Sequence, residues 1–122
     1  MKNTSQVRSF AVAFEGIGRA FMSELHMKVH LVFAIAALIA CGLLRVEPWG
    51  WCVVVICIGM VISAEVLNTA FEALCDKVSP EYDELIKIAK DAAAGAVLVL
   101  AFAAVIAGLI VYIPAFLKLI AA

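Results

Sequence analysis

Charge is scarce in this chain. Only 16% of its 122 residues are Asp, Glu, Lys or Arg, while 66% are hydrophobic. A soluble domain of this size has too little interior to hide that much apolar surface, so that class is excluded. The formal net charge is −1, and no basic run or basic–aromatic interleaving marks a nucleic-acid surface. No two cysteines stand in CxxC spacing. Cys41, Cys52, Cys57 and Cys75 are dispersed, three of them inside apolar stretches, which argues against zinc and for reduced packing residues. No GxxxxGK[ST] loop is present, so a phosphate-binding loop of the usual NTPase kind is excluded, and no Ser/His/Asp nucleophile arrangement stands out. The N-terminus does not resemble a cleavable signal, because Arg8, Glu15, Arg19 and Glu24 interrupt it before any long apolar core. What remains is a small all-α integral membrane protein, read as a single domain over 1–122.

The apolar pattern divides into four parts. Residues 7–24 read as an amphipathic surface helix: Phe10, Phe14, Ile17 and Phe21 fall on one side, and Arg8, Glu15 and Arg19 on the other. Three transmembrane helices are expected at about 29–47, 49–72 and 91–117. Between the first two, Pro48 and Gly50 are expected to break the helix, and Trp49 and Trp51 suit an interfacial belt. The segment 76–90 is polar, with Ser79-Pro80 as an expected helix start. Gly95 and Gly108 are expected to let helices approach closely. Lys2, Arg8, Arg19 and Lys28 precede the first span, and Lys77, Lys87 and Lys90 lie between the second and third. Only Arg45 and Lys118 fall on the opposite side, so the N-terminus and the 76–90 segment should face the cytoplasm.

On that side stands a stripe of acids. Glu65, Glu72 and Asp76 run out of the second apolar stretch and fall within about 40° of one another on a helix, with Asn68 about 60° to one side. Ionisable groups at membrane depth are costly and usually mark function, and clustered carboxylates repel one another unless cations or protons sit among them. Glu65 lies deepest, where a poorly solvated carboxylate suits a general base acting on a hydroxyl. Glu72, two turns further out, is better placed for Mg²⁺, which prefers oxygen ligands and bridges phosphates. Asn68 can orient either carboxylate, and Asp76 can cap a helix or help hold a cation, the structural role being favoured. Glu24 falls near the phenylalanine face of the first helix, where an acid either meets a cation or ends the helix. Lys90, beside Asp91, can meet phosphate oxygens as a point charge. Glu81 and Tyr82 follow Ser79-Pro80 and can equally be capping residues. His26 and His30 share a helix face, but a third metal ligand is lacking.

Read together, Glu65-Val-Leu-Asn-Thr-Ala-Phe-Glu72, Asp76, Ser79-Pro-Glu-Tyr82 and Ala89-Lys-Asp-Ala-Ala-Ala-Gly-Ala96 resemble the prokaryotic diacylglycerol kinase family, which includes undecaprenol kinases. The resemblance extends through Phe10-Ala-Val-Ala-Phe-Glu-Gly16 and Ser23-Glu-Leu-His26. It implies a homotrimer in the bacterial cytoplasmic membrane, each subunit with a surface helix and three spans. It also implies transfer of the γ-phosphate of MgATP to a lipid hydroxyl, on undecaprenol or diacylglycerol. By motif, Glu65 is the base and Asn68 its neighbour, Glu24 and Glu72 match metal-binding glutamates, and Glu81, Tyr82, Lys90 and Asp91 match nucleotide contacts. Asp83 departs from the His found there in many members, and the Ser79-Pro80 and Ala-Ala-Gly-Ala forms lean towards the undecaprenol branch. Two other readings of the residues stand beside this one. A small proton-coupled transporter would use Glu65 as its binding carboxylate, but such a site belongs near the midplane. A non-catalytic assembly subunit would leave the acids unexplained.

Overall fold

The computed structural model describes residues 5–122 of the protein; Lys2, counted above towards orientation, lies outside them. The described residues form α1 (Gln6–Ser23), α2 (Leu25–Leu43), α3 (Pro48–Val78) and α4 (Glu84–Ala121). Helices α2, α3 and α4 are each long and apolar enough to cross a membrane.

Each helix end has a local cause. Ser5 caps α1, its hydroxyl accepting from the Arg8 backbone N–H at 3.2 Å. Phe10 and Phe14 remain 65% and 70% exposed, so the apolar stripe of α1 is available to a membrane surface. A single extended residue, Glu24, at φ −126° and ψ 130°, separates α1 from α2. The first span was expected to persist to 47, but α2 ends at Leu43. A Schellman turn stops it: Val46 N–H donates to Cys41 O at 3.0 Å and Arg45 N–H to Gly42 O at 3.3 Å. Arg45 sits at the left-handed position of that turn, φ 52°, where glycine is usual. Pro48 does not extend the break; as a first-turn residue with no N–H to satisfy, it opens α3.

The expectation of a helix start at Ser79-Pro80 is corrected. Helix α3 continues to Val78, and the Ser79 N–H caps it by donating to Cys75 O at 2.9 Å. Proline cannot continue a helix and commonly follows such an end. The start of α4 belongs to Asp83, whose carboxylate accepts from Leu85 N at 2.9 Å and Ile86 N at 3.1 Å.

Helix α3 packs most extensively along α4, and α2 packs against α3. The core of this packing is Cys41, Val46, Val54 and Val111, with Ala37, Tyr112 and Ala115 against it. The Tyr112 hydroxyl donates to Ala37 O at 2.8 Å, fastening α4 to α2 where few other polar partners exist. Within the chain, the close helix approach is at Gly50. A Cβ there would collide with Val46 and lie 2.9 Å from Val111 Cγ1, whereas Gly95 has nothing within 4 Å and Gly108 meets only Tyr112 of its own helix.

Length positions the site. At 1.5 Å per residue α3 is about 46 Å long and α4 about 57 Å, against a hydrocarbon core of about 30 Å. With Trp49 at one interface, Glu65 lies about 24 Å along α3 and Glu72 about 34 Å along it. The first is just inside the far edge of the hydrocarbon, and the second just beyond it.

Candidate active site

One face of α3 both packs the bundle and carries the polar residues. Its buried positions are Gly50, Val54, Val61, Glu65, Asn68 and Cys75. The spacing runs in threes, fours and sevens, the pattern of one helix face packed along its neighbours. Ideal 100° spacing grouped Asp76 with Glu65 and Glu72 and left Asn68 aside. The packed structure reverses this: Asn68 is 9% exposed beside Glu65 at 4%, while the Asp76 side chain is 66% exposed. Taken over the whole helix, the buried positions fall within about 80° of one another on the same 100° wheel; Asn68 and Cys75 lie inside that face, and Asp76 falls beyond its edge.

The site has a deep part and an outer part. In the deep part, His30 Nε2 of α2 lies 3.1 Å from Glu65 Oε1. An ionised carboxylate only accepts, so the imidazole donates this bond. Directly below lies an apolar groove of about 420 Å³ between α2, α3 and α4, running from His30 past Phe33 and Val61 to Tyr112.

In the outer part, Glu72 of α3 stands beside Glu24, with Lys90 of α4 acting on it from the other side. Glu24 is available because its side chain caps neither neighbouring helix. Of the two alternatives raised for it, the helix end is what the structure shows, and the group beside it is a second acid, Glu72. Asn68 Nδ2 donates to Glu72 Oε1 at 3.4 Å, and Asn68 Oδ1 is the buried side-chain atom left without a partner among the described residues. Two abutting carboxylates form an oxygen-only pair that disfavours itself electrostatically and suits a hard cation. The described residues contain no group of three His, Cys, Asp or Glu placed to hold a metal.

The remaining expected residues are arranged around this pair less tightly. Lys90 Nζ donates to Asp76 Oδ1 at 2.8 Å, so Asp76 steadies the cation that faces Glu72. Asp91 is engaged by Lys87 at 2.6 Å on an exposed surface and is not drawn into the carboxylate pair. Glu81 and Tyr82 lie in the α3–α4 connection; Tyr82 is 79% exposed, and neither side chain bonds to the carboxylates. Asp83 is occupied by its capping role. Sequence reasoning missed His30 as a partner of Glu65, having considered it only with His26. The available signal was the stripe Met27, Ala34, Ala37 and Cys41 on the inward face of α2, whose spacing passes through His30.

Comparison with known proteins identifies the family. A model of the prokaryotic diacylglycerol kinase family matches residues 11–112. The chain is 40% identical over 112 residues to a diacylglycerol kinase of Synechocystis sp., covering 91% of this chain and 64% of that longer protein. It is 37% identical over 107 residues to the undecaprenol kinase of Bacillus subtilis, covering 88% of this chain and 87% of the relative. It is 28% identical over 103 residues to a diacylglycerol kinase of Escherichia coli, with 84% of each covered. With three membrane-length helices and a family match over most of its residues, the chain belongs to the prokaryotic diacylglycerol kinase family, a family of membrane lipid kinases.

Proposed function

We propose that this protein transfers the γ-phosphate of MgATP to the hydroxyl of a membrane lipid alcohol, either undecaprenol or diacylglycerol. One observation carries the reading. A buried carboxylate, Glu65, stands where an apolar groove meets a cluster of exposed-side oxygens at Glu24 and Glu72. A lipid alcohol entering sideways lays its chain in the groove and its hydroxyl beside Glu65. ATP approaches from the outer part, on the cytoplasmic side. Glu24 and Glu72 would hold Mg²⁺, which when bound neutralises phosphate oxygens; Lys90 adds a further positive charge. Transfer is in line and direct. The transition state of such transfers is loose, so positioning and charge stabilisation contribute more than nucleophile activation. Glu65 takes the hydroxyl proton late. Glu81, Tyr82 and Asp91 contribute nucleotide contacts, and the working unit is a homotrimer in the bacterial cytoplasmic membrane.

The test is phosphate transfer from labelled ATP by purified protein, offering undecaprenol and diacylglycerol separately in matched micelles with Mg²⁺. The Ser79-Pro80 and Ala-Ala-Gly-Ala forms favour faster labelling of undecaprenol. Faster labelling of diacylglycerol would assign production of phosphatidic acid instead. Transfer to neither, with substrate-dependent proton flux into liposomes without ATP, would replace the kinase reading with transport.

A further inference from the structure

A carboxylate that is 4% exposed needs a partner, and Glu65 has one: among the described residues its side chain bonds only to His30. The bond occupies one oxygen. Among the described residues Oε2 makes no hydrogen bond, and it is not fully enclosed. His30 is itself only partly covered, and it lines the head of the apolar groove. The two residues come from different helices, so their contact also fixes how α2 meets α3 at this depth. Among the described residues no third His, Cys, Asp or Glu joins them.

We propose that His30 is the positioning residue for this reaction, an inference that rests on the reading of Glu65 as the base. His30 donates Nε2–H to Oε1 of Glu65 and holds the carboxylate at the groove head, leaving Oε2 as the proton acceptor. When the lipid hydroxyl oxygen forms its bond to the γ-phosphorus, the bond from that phosphorus to the bridging oxygen of ADP breaks. The hydroxyl proton passes to Glu65 Oε2. His30 touches neither phosphate nor proton; it acts through Glu65. Fixing a general base by a second hydrogen bond is the arrangement in which small misplacements carry large rate penalties.

The experiment compares His30→Leu, His30→Gln and His30→Asn in the full-length protein. Lipid phosphorylation, labelled-ATP binding and thermal unfolding are measured for each. His30→Leu should lower kcat about 10- to 100-fold, the effect of losing one charge-assisted hydrogen bond, with the KM for ATP unchanged. His30→Gln keeps an N–H donor at similar reach and should recover most of the rate; His30→Asn is too short and should not. Introduced into Glu65→Gln, His30→Leu should have little further effect, because the two residues act as a unit. Equal losses in both backgrounds, a raised KM for ATP, or no distinction between Gln and Asn would overturn the proposal. If His30→Leu does not fold, the Gln–Asn comparison decides alone. A wild-type protein that labels no lipid would instead remove the kinase reading on which the inference stands.

Discussion

Replacing Glu65 by glutamine removes a proton acceptor while keeping shape and one hydrogen-bonding oxygen. His30 can still donate to the amide oxygen, so the packing of α2 on α3 should survive. General-base contributions are typically about 10²–10⁴-fold, and the loose transition state of phosphoryl transfer places this enzyme near the lower end. A fall in kcat of about 10²-fold is expected, or about 2.7 kcal/mol of activation free energy. Nucleotide affinity should be nearly unchanged, because Glu65 lies two turns, about 10 Å, from Glu72 along α3, roughly a Debye length at physiological salt. Glu72→Gln should do the opposite, weakening Mg²⁺ and ATP use by tenfold or more on the order of a lost charged ligand. Initial rates against ATP at saturating lipid, with equilibrium binding of labelled ATP, separate the two. Wild-type turnover by Glu65→Gln would remove the base assignment. Equal loss of nucleotide binding in both variants would show the division into deep and outer parts to be wrong.

Other perturbations test the architecture. The abutting Glu24 and Glu72 should repel when no cation is present, so Glu72→Gln should unfold at higher temperature than wild type in chelator, by up to about 1 kcal/mol, and Mg²⁺ should stabilise wild type but not the variant; identical responses to Mg²⁺ would argue against a shared site. Asp83→Ala should destabilise the protein by about 1 kcal/mol through loss of the α4 cap, with Asp83→Ser restoring stability and neither changing the KM for ATP; a raised KM would give Asp83 the nucleotide contact that its capping role argues against. Gly50→Ala should cost about 1–3 kcal/mol in a mixed-micelle unfolding assay, because its methyl group has no room against Val46 and Val111, whereas Gly95→Ala should be close to neutral.

How much of this was legible in the sequence differs by residue. The three long helices follow from apolar runs with few alternatives, since a chain of this composition must satisfy its backbone internally within lipid. Helix boundaries were harder to read. Ser79-Pro80 carries both a start signal and a stop signal, and only the direction of the preceding helix resolves them. The turn at Arg45 was hidden because the left-handed position usually announces itself with glycine. The candidate base and the outer glutamates were visible as acids in the wrong solvent. The Glu65–His30 bond was not, because its partners are 35 residues apart on separate helices.

The sequence by itself therefore determined the solvent, the helices and the stripe of chemistry, because composition and periodicity are properties of one segment at a time. Tertiary packing decided which of those residues meet. It turned Asn68 inward and Asp76 outward, set Glu24 against Glu72, and brought His30 to Glu65 at the head of an apolar groove. The physical reason is that a small rotation about a helix axis is invisible in the pattern of a single helix, yet it selects which side chains lie in the seam between helices.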